Sequence, residues 1–273
     1  KTSKMFAELA KLFPSPGRLQ GLHFFAEQLA NLDIEPHKHS CFQHTQHTAV
    51  RQKFLTKPDN PNYDLHQINN PFTMCVSAPT GSGKTTFTTN LIHRFSSGKD
   101  GTFQKIYVIC SNKNEPLYEY LQTLSDRIFV KEGIESIPDL DKEFGDQKKD
   151  NTSSLVVFDD LVLKKNQRPI ESYYMKCRKW NVSVMYLSQS YFQIPIFIRR
   201  NSMYCVFLKM GGSRTIKQVL TDFSLGISQE QLYNMYEYAT SEKFGCFLID
   251  LVDDSKKYRK GFLEILDPSE FTS

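Results

Sequence analysis

The residues best suited to chemistry form a glycine-rich loop in the first third of the chain. Phe72, Met74 and Val76 predict a short buried strand before it, and a helical segment follows it. Glycines at 81 and 83 permit backbone conformations in which successive N–H groups converge on an anion. Strand, loop and helix in this order are typical of phosphate binding. The residues expected to contact a nucleotide are Ala78, Pro79, Thr80, Gly81, Ser82, Gly83, Lys84, Thr85 and Thr86.

Two side chains at the end of this loop have the chemistry that a bound nucleotide needs. The ammonium group of Lys84 can reach the β- and γ-phosphates, and the hydroxyl group of Thr85 can ligate Mg²⁺. The helix that begins here adds a favourable dipole. Ala78 stands where the pattern usually has its first glycine, which we expect to be tolerated at a strand end. The alternative is a Gly-Ser turn before a helix, and the Gly-Lys-Thr spacing makes it the weaker interpretation.

A pair of carboxylates forms the second motif. The apolar run 155–158 ends in Asp159 and Asp160, which predicts a buried parallel strand with acids at its carboxyl tip. Ligands bind at that edge of open α/β sheets. Asp159 is expected to hold Mg²⁺, usually through a water molecule, and Asp160 to orient or deprotonate the attacking water. A solvated strand end is the alternative.

A third polar group follows another apolar run. The run 182–187 predicts a strand that ends in Ser188 and Gln189. We expect this strand to lie between the two motif strands, with Gln189 at their shared edge. The side-chain amide can donate to a γ-phosphate and also position a water molecule. The alternative is an ordinary amide at a strand end.

Composition narrows the class of protein. The chain has 273 residues, 40% of them hydrophobic, which suffices for one large domain with a small appendage. No run approaches the roughly 20 apolar residues of a membrane span, and residues 1–16 show no secretory signal. The net charge of +4 permits a nucleic-acid partner without requiring one. Cysteines in or beside predicted strands are expected to pack as small apolar groups, which favours a reducing, intracellular compartment. These are Cys75, Cys110, Cys205 and Cys246.

Two domains are predicted. Residues 1–61 form a helical and linker appendage that ends in a turn-rich boundary, and residues 62–273 form the phosphate-binding domain. The histidine-rich stretch 37–47 in the appendage is either a zinc site or a polar linker. The linker is the stronger interpretation because the spacing fits no common zinc finger. The candidate zinc ligands are His37, His39, Cys41, His44 and His47.

Beyond the loop, helical and strand patterns alternate, which predicts an α/β fold with a mostly parallel central sheet flanked by helices. Helices are predicted over 85–95, 117–124, 169–180, 195–200, 215–220 and 228–238. Strands are predicted over 106–110, 127–131, 155–158, 182–187, 204–209, 245–251 and 262–266.

With these three motifs, the chain resembles the poxvirus-type viral genome-packaging ATPases of the FtsK/HerA superfamily, found in large DNA viruses, virophages and Polinton-like elements. The resemblance covers roughly residues 69–266. It implies a P-loop NTPase of the additional-strand type that uses ATP and Mg²⁺ to translocate double-stranded DNA into a capsid. It also implies a homo-oligomeric ring with the nucleotide at subunit interfaces, capsid or portal vertex proteins as partners, no membrane, and an intracellular or virion-associated location.

The resemblance further implies an arginine from a neighbouring subunit that stabilises the transferring phosphoryl group. Arg178 is the first candidate, followed by Arg199 and Arg200. Cys177 and Lys179 flank Arg178 where relatives tend to carry Gly and His, so the assignment stays open. A further departure is the acid at position 160, which is Glu in many members of the superfamily.

A basic stretch follows the paired acids. Lys164, Lys165 and Arg168 are expected either to contact DNA phosphates in the pore or to form an ordinary solvated charge run. Two other functions fit the motifs: a helicase or conjugation-type DNA pump of the same superfamily, and a nucleotide-binding regulatory protein with little turnover. The intact loop, acid pair and glutamine favour turnover, and the absence of a strand-separation element favours packaging.

Overall fold

The computed structural model describes residues 58–96, 101–162, 166–224 and 226–272. All of them belong to one compact unit. The predicted appendage lies outside the described residues except for its last four positions, and so do the histidine-rich stretch, Lys164 and Lys165. These predictions therefore remain predictions.

A mixed sheet forms the centre of the described unit. Its nine strands follow the order β3-β2-β4-β5-β1-β6-β7-β8-β9. The six strands from β3 to β6 in this order are parallel, and β7, β8 and β9 extend the sheet in antiparallel fashion. The strands are β1 (Thr73–Ser77), β2 (Lys105–Cys110), β3 (Ile128–Glu132), β4 (Ser154–Asp159), β5 (Val182–Ser188), β6 (Tyr204–Leu208), β7 (Cys246–Asp250), β8 (Tyr258–Lys260) and β9 (Glu264–Ile265).

Helices flank this sheet, which confirms the predicted fold class. The α-helices of the described residues are α1 (Tyr63–His66), α2 (Lys84–Ser96), α3 (Pro116–Leu124), α4 (Leu140–Phe144), α5 (Arg168–Lys176), α6 (Ile196–Arg200), α7 (Ser213–Thr221) and α8 (Gln229–Ala239). None of these helices has the length and apolarity that a membrane span requires.

Some boundaries differ from the prediction. The helix predicted over 169–180 ends at Lys176 and continues as the 3₁₀ turn Cys177–Trp180. The strand predicted over 262–266 was wrong in extent, because only the two residues of β9 pair there. Neither α4 nor β8 was predicted. Both are short, and β8 contains Arg259 and Lys260, so it has no apolar run to indicate a strand.

The inner strands are buried along their whole length, as expected of a parallel sheet covered on both faces. On one face, α2 packs through Phe87, Leu91 and Phe95, which are spaced four residues apart and nearly inaccessible. The five described cysteines are buried and free, which agrees with the prediction made for four of them, all but Cys177. The five are Cys75, Cys110, Cys177, Cys205 and Cys246.

The pairing register determines where polar groups can meet. Strand β5 lies between β4 and β1, with Asp159 paired to Leu187 and Ser77 paired to Ser188. Parallel strands in this register end at the same edge of the sheet. The glycine-rich loop, the acid pair and Gln189 therefore emerge side by side, as the sequence predicted.

At the opposite edge, a buried hydrogen-bond network ties the start of β1 to its neighbours. The side-chain amide of Asn70 donates to Ser153 Oγ at 2.8 Å, and Ser183 Oγ donates to Asn70 Oδ1 at 2.9 Å. Ser183 Oγ also accepts from the backbone N–H of Phe72 at 3.1 Å. Since Asn70 is 4% exposed, water cannot replace these partners.

We expect Asn70→Ala to lower the free energy of unfolding by about 2–3 kcal/mol, because two buried serine hydroxyls lose a partner. Urea denaturation followed by circular dichroism measures this change. The matched control is Asn112→Ala, since Asn112 is exposed, and its effect should stay within about 0.5 kcal/mol. Equal midpoints for the two variants would show that the network contributes no stability.

Candidate functional site

The glycine-rich loop is anchored at both ends. The N–H of Ala78 donates to Ser188 O at 2.9 Å, which joins the buried end of β1 to the end of β5. Ser82 donates to Pro79 O from both its N–H and its hydroxyl group. Glycines 81 and 83 have φ values of 78° and 101°, a region that side chains disfavour. The loop therefore has the backbone that an anion-binding cradle requires.

Lys84 contacts both predicted acids. Its Nζ lies 2.8 Å from Asp159 Oδ1 and 2.7 Å from Asp160 Oδ2, and its side chain is 15% exposed. Burial alone would lower the pKa of Lys84, but the two carboxylates outweigh burial and raise this pKa above its ordinary value. Lys84 is therefore a cation at neutral pH, as phosphate binding requires.

Gln189 connects the acid pair to the loop. Its Nε2 donates to Asp160 Oδ2 at 3.0 Å, and its Oε1 accepts from the Thr80 hydroxyl at 3.0 Å. The backbone of Asp160 has a φ of 53°, and its N–H donates to Leu187 O at 3.3 Å. A non-glycine residue in the left-handed region is uncommon and often belongs to a functional site. This turn directs the carboxylate of Asp160 back across the end of β5.

Sequence reasoning missed Tyr118, which contacts the acid pair. Its hydroxyl group donates to Asp159 Oδ2 at 2.8 Å from helix α3, and its side chain is only 4% exposed. Burial, and then the neighbouring Asp159 carboxylate, raises the pKa of Tyr118, so it stays protonated as a donor. Nothing in the sequence spacing connects a tyrosine on α3 with an acid on β4; the packing of the helix brings them together.

A cavity of about 290 Å³ opens beside these groups. The loop, Lys84, Glu115, Asp160 and Gln189 line it. The buried Asp160 Oδ1 has no hydrogen-bond partner among the described residues, and Asp159 Oδ1 has only its contact with Lys84. The described residues contain no cluster of three or more metal-ligating side chains. Mg²⁺ suits such a site, because it takes one or two carboxylates and completes its shell with water and substrate phosphates.

The remaining predicted site residues lie elsewhere or outside the described part. The side chain of Thr85 is not among those described. Arg178 is exposed in the turn before β5, so the seven-residue strand, about 23 Å long, separates it from the loop. Arg199 donates to Ile194 O and lies 3.6 Å from Asp222. Arg200 is exposed at the end of α6. None of these arginines lines the cavity of its own subunit.

Comparison with protein families gives a match over most of the chain. The model of the family described as "Poxvirus A32 protein" matches residues 62–260, which include the loop, both acids and Gln189. Among curated protein sequences, none matches the chain.

Several solved structures are similar to the chain. The genome packaging NTPase B204 from Sulfolobus turreted icosahedral virus 2, in complex with ATP-gammaS, has 11% identity over 70% of this chain and 97% of its own, with a TM-score of 0.49. ATPases 2 and 3 of EssC from Geobacillus thermodenitrificans have 9% identity over 54% of this chain and 34% of their own, with a TM-score of 0.45. ATPases 2 and 3 of EccC from Thermomonospora curvata have 11% identity over 71% of this chain and 38% of their own, with a TM-score of 0.46.

We expect Tyr118→Phe to raise the Mg²⁺ concentration for half-maximal nucleotide hydrolysis about tenfold, because Asp159 loses the donor that orients it. A titration of turnover against Mg²⁺ at fixed nucleotide concentration measures the shift. Tyr120→Phe is the control on the same helix, since Tyr120 is 54% exposed. An unchanged Mg²⁺ requirement in Tyr118→Phe would contradict the orienting role.

Proposed function

The chain belongs to the poxvirus A32 protein family, the genome-packaging ATPases that its motifs resemble, and we propose that it uses ATP hydrolysis to drive double-stranded DNA into a viral capsid. The observation that carries this proposal is the contact of Lys84 with both Asp159 and Asp160 beneath the loop. We place the protein at the site of virus assembly, with the capsid or its portal vertex as partner.

Each group at the sheet edge has a role in hydrolysis. The loop amides and Lys84 bind the β- and γ-phosphates of ATP. Asp160, whose Oδ1 has no donor among the described residues, accepts a hydrogen bond from the attacking water and takes its proton. Asp159 and Thr85 would hold Mg²⁺, which neutralises developing charge on the phosphates. Tyr118 keeps the Asp159 carboxylate in place.

Gln189 can couple ATP hydrolysis to a conformational change. It is bonded at once to the loop through Thr80 and to the acid pair through Asp160. A γ-phosphate competes for the same amide, so its arrival and loss change the partners of Gln189. The segment after Gln189 leads to α6 and its arginines. This segment would therefore transmit the change in the hydrogen bonds of Gln189 to α6.

Catalysis of phosphoryl transfer also needs an arginine, which the described residues around the cavity do not supply. Among the residues that line the cavity, none is an arginine. We therefore propose a ring in which a neighbour inserts an arginine at the transferring phosphoryl group. The exposed Arg178 remains the first candidate and Arg200 the second, while Arg199 already has Ile194 O and Asp222 as partners.

We expect duplex DNA to stimulate ATP turnover by the wild-type chain. Lys84→Ala should reduce turnover at least hundredfold with or without DNA, because the phosphate contact is lost. Phosphate release measured with and without duplex DNA checks both expectations. Lys113→Ala, at an exposed lysine, is the control that should retain wild-type turnover.

The same assay distinguishes the other functions. ATP binding without turnover by the wild-type chain would indicate a regulatory protein instead of a motor. Separation of the strands of a forked DNA by an active wild-type chain would indicate a helicase instead of a packaging motor.

Arginine action between subunits is tested by mixing two inactive variants. Arg178→Ala is expected to lower turnover about a thousandfold. When it is mixed with Lys84→Ala, about one quarter of the interfaces in a ring combine an intact lysine with an intact neighbouring arginine. Turnover should therefore return to about a quarter of the wild-type rate.

Arg214→Ala, at an exposed arginine on α7, is the control for the loss of positive charge. Full turnover by Arg178→Ala would show that Arg178 is not the arginine that acts on the neighbouring site, and Arg200 would become the first candidate. A mixture as inactive as its components would show that Arg178 does not act across an interface.

A further inference from the structure

A second cavity lies along helix α2, separate from the phosphate site. Its volume is about 350 Å³, within the range of about 300–1,000 Å³ for ligand pockets. Phe87, Asn90 and Arg94 of α2 line one side, and the antiparallel extension of the sheet lines the other. The phosphate-binding residues account for none of this surface.

The cavity lies beside the phosphate loop. Helix α2 begins at Lys84, and Asn90 follows six residues later, about 9 Å along the helix axis. A ribose separates the base of a nucleotide from its phosphates, so a base site must lie beside the loop and not inside it. A cavity along the second and third turns of α2 satisfies this requirement.

One aromatic residue lines the cavity and also lies against the phosphate loop. Phe244, in the connection between α8 and β7, lines the cavity and lies so close to Gly83 that any side chain at position 83 would collide with its ring. Its φ of 66° is rare for a bulky residue, and its side chain is 45% exposed. The fold thus holds an exposed aromatic ring against the phosphate loop.

The other walls supply aromatic and polar groups. Phe262 stacks on Phe87 with ring centroids 5.5 Å apart and has the guanidinium group of Arg94 above it at 5.0 Å. Lys260 and Glu242 form an ion pair of 2.8 Å at the rim. Asn90 is exposed on α2, so its side-chain amide is accessible from the cavity. This combination suits a flat heteroaromatic ligand with a polar edge.

We propose that this cavity receives the purine base of the nucleotide whose phosphates the loop binds. This inference rests on the proposed function. The base stacks on Phe244, and the exposed amide of Asn90 hydrogen-bonds to its edge. An amide can pair with an adenine by donating to N7 and accepting from the N6 amino group. Phe244 and Asn90 thereby become determinants of nucleotide specificity.

The inference is tested by comparing ATP with inorganic tripolyphosphate, which has the phosphates but no base. Calorimetric titrations with each ligand, in the presence of Mg²⁺, use the full chain and its variants. Phe244→Ala should weaken ATP binding about tenfold, within the range of stacking contributions at single bases, and leave tripolyphosphate binding unchanged. Phe244→Tyr keeps the stacking face and should retain the affinity for ATP.

The matched control is Phe129→Ala, which removes a partly exposed phenylalanine on the edge strand β3, away from the cavity and from the segment after Gln189, and should change neither affinity. Asn90→Ala should weaken ATP binding severalfold without affecting tripolyphosphate. Undiminished ATP binding by Phe244→Ala would overturn the proposal, and so would equal weakening of both ligands, which would assign Phe244 to the loop alone. If the wild-type chain binds neither ligand, the proposed function itself fails; binding of tripolyphosphate also shows that each variant is folded.

Discussion

The site depends on one ammonium group that bridges two adjacent carboxylates and reduces the repulsion between them. Asp159 and Asp160 are only 9% and 29% exposed, and two carboxylates so close together would repel each other in a poorly solvated pocket. Lys84 lies within 2.8 Å of both and makes the arrangement stable. Since Lys84 follows the loop after β1 and the acids lie at the end of β4, this contact joins two strands that are not neighbours. The intervening β5 must then end beneath it, which places Gln189 at the centre of the site.

The parts of the site that could be predicted are those with a local sequence pattern. The glycine-rich loop, the acid pair and Gln189 each combine an apolar run with the polar residues directly after it, so sequence alone shows both strand and chemistry. Tyr118 and Phe244 have no such local pattern. Each reaches the site through packing: Tyr118 from a helix beside β4, and Phe244 from a connection more than 150 residues after the loop. Their roles follow from tertiary contacts that periodicity does not encode.

The fold was predictable to a similar extent and for a related reason. Parallel inner strands are apolar throughout, and the sequence shows them clearly. The antiparallel extension does not follow this rule, because β8 contains the fully buried Arg259. Burial lowers the pKa of this guanidinium, while Asp250 opposes that effect with an ion pair of 3.0 Å. Arg259 also donates to Gln67 O and Phe262 O. From the sequence, a charged residue such as Arg259 is expected at the surface. In the structure its ion pair and hydrogen bonds allow it to be buried in the core.

The buried arginine gives the extension a role beyond closing the sheet. Its bonds to Asp250 on β7, to Phe262 O and to the end of α1 fix the hairpin of β7 and β8 relative to the segment that precedes β1. The connection that contains Phe244 enters β7 directly, and Phe262 follows β8. The bonds of Arg259 therefore also help to position the aromatic walls of the cavity along α2. Both ends of the described unit therefore contribute near the phosphate loop: β1 leads into the backbone cradle, and the connection into β7 places Phe244 beside it.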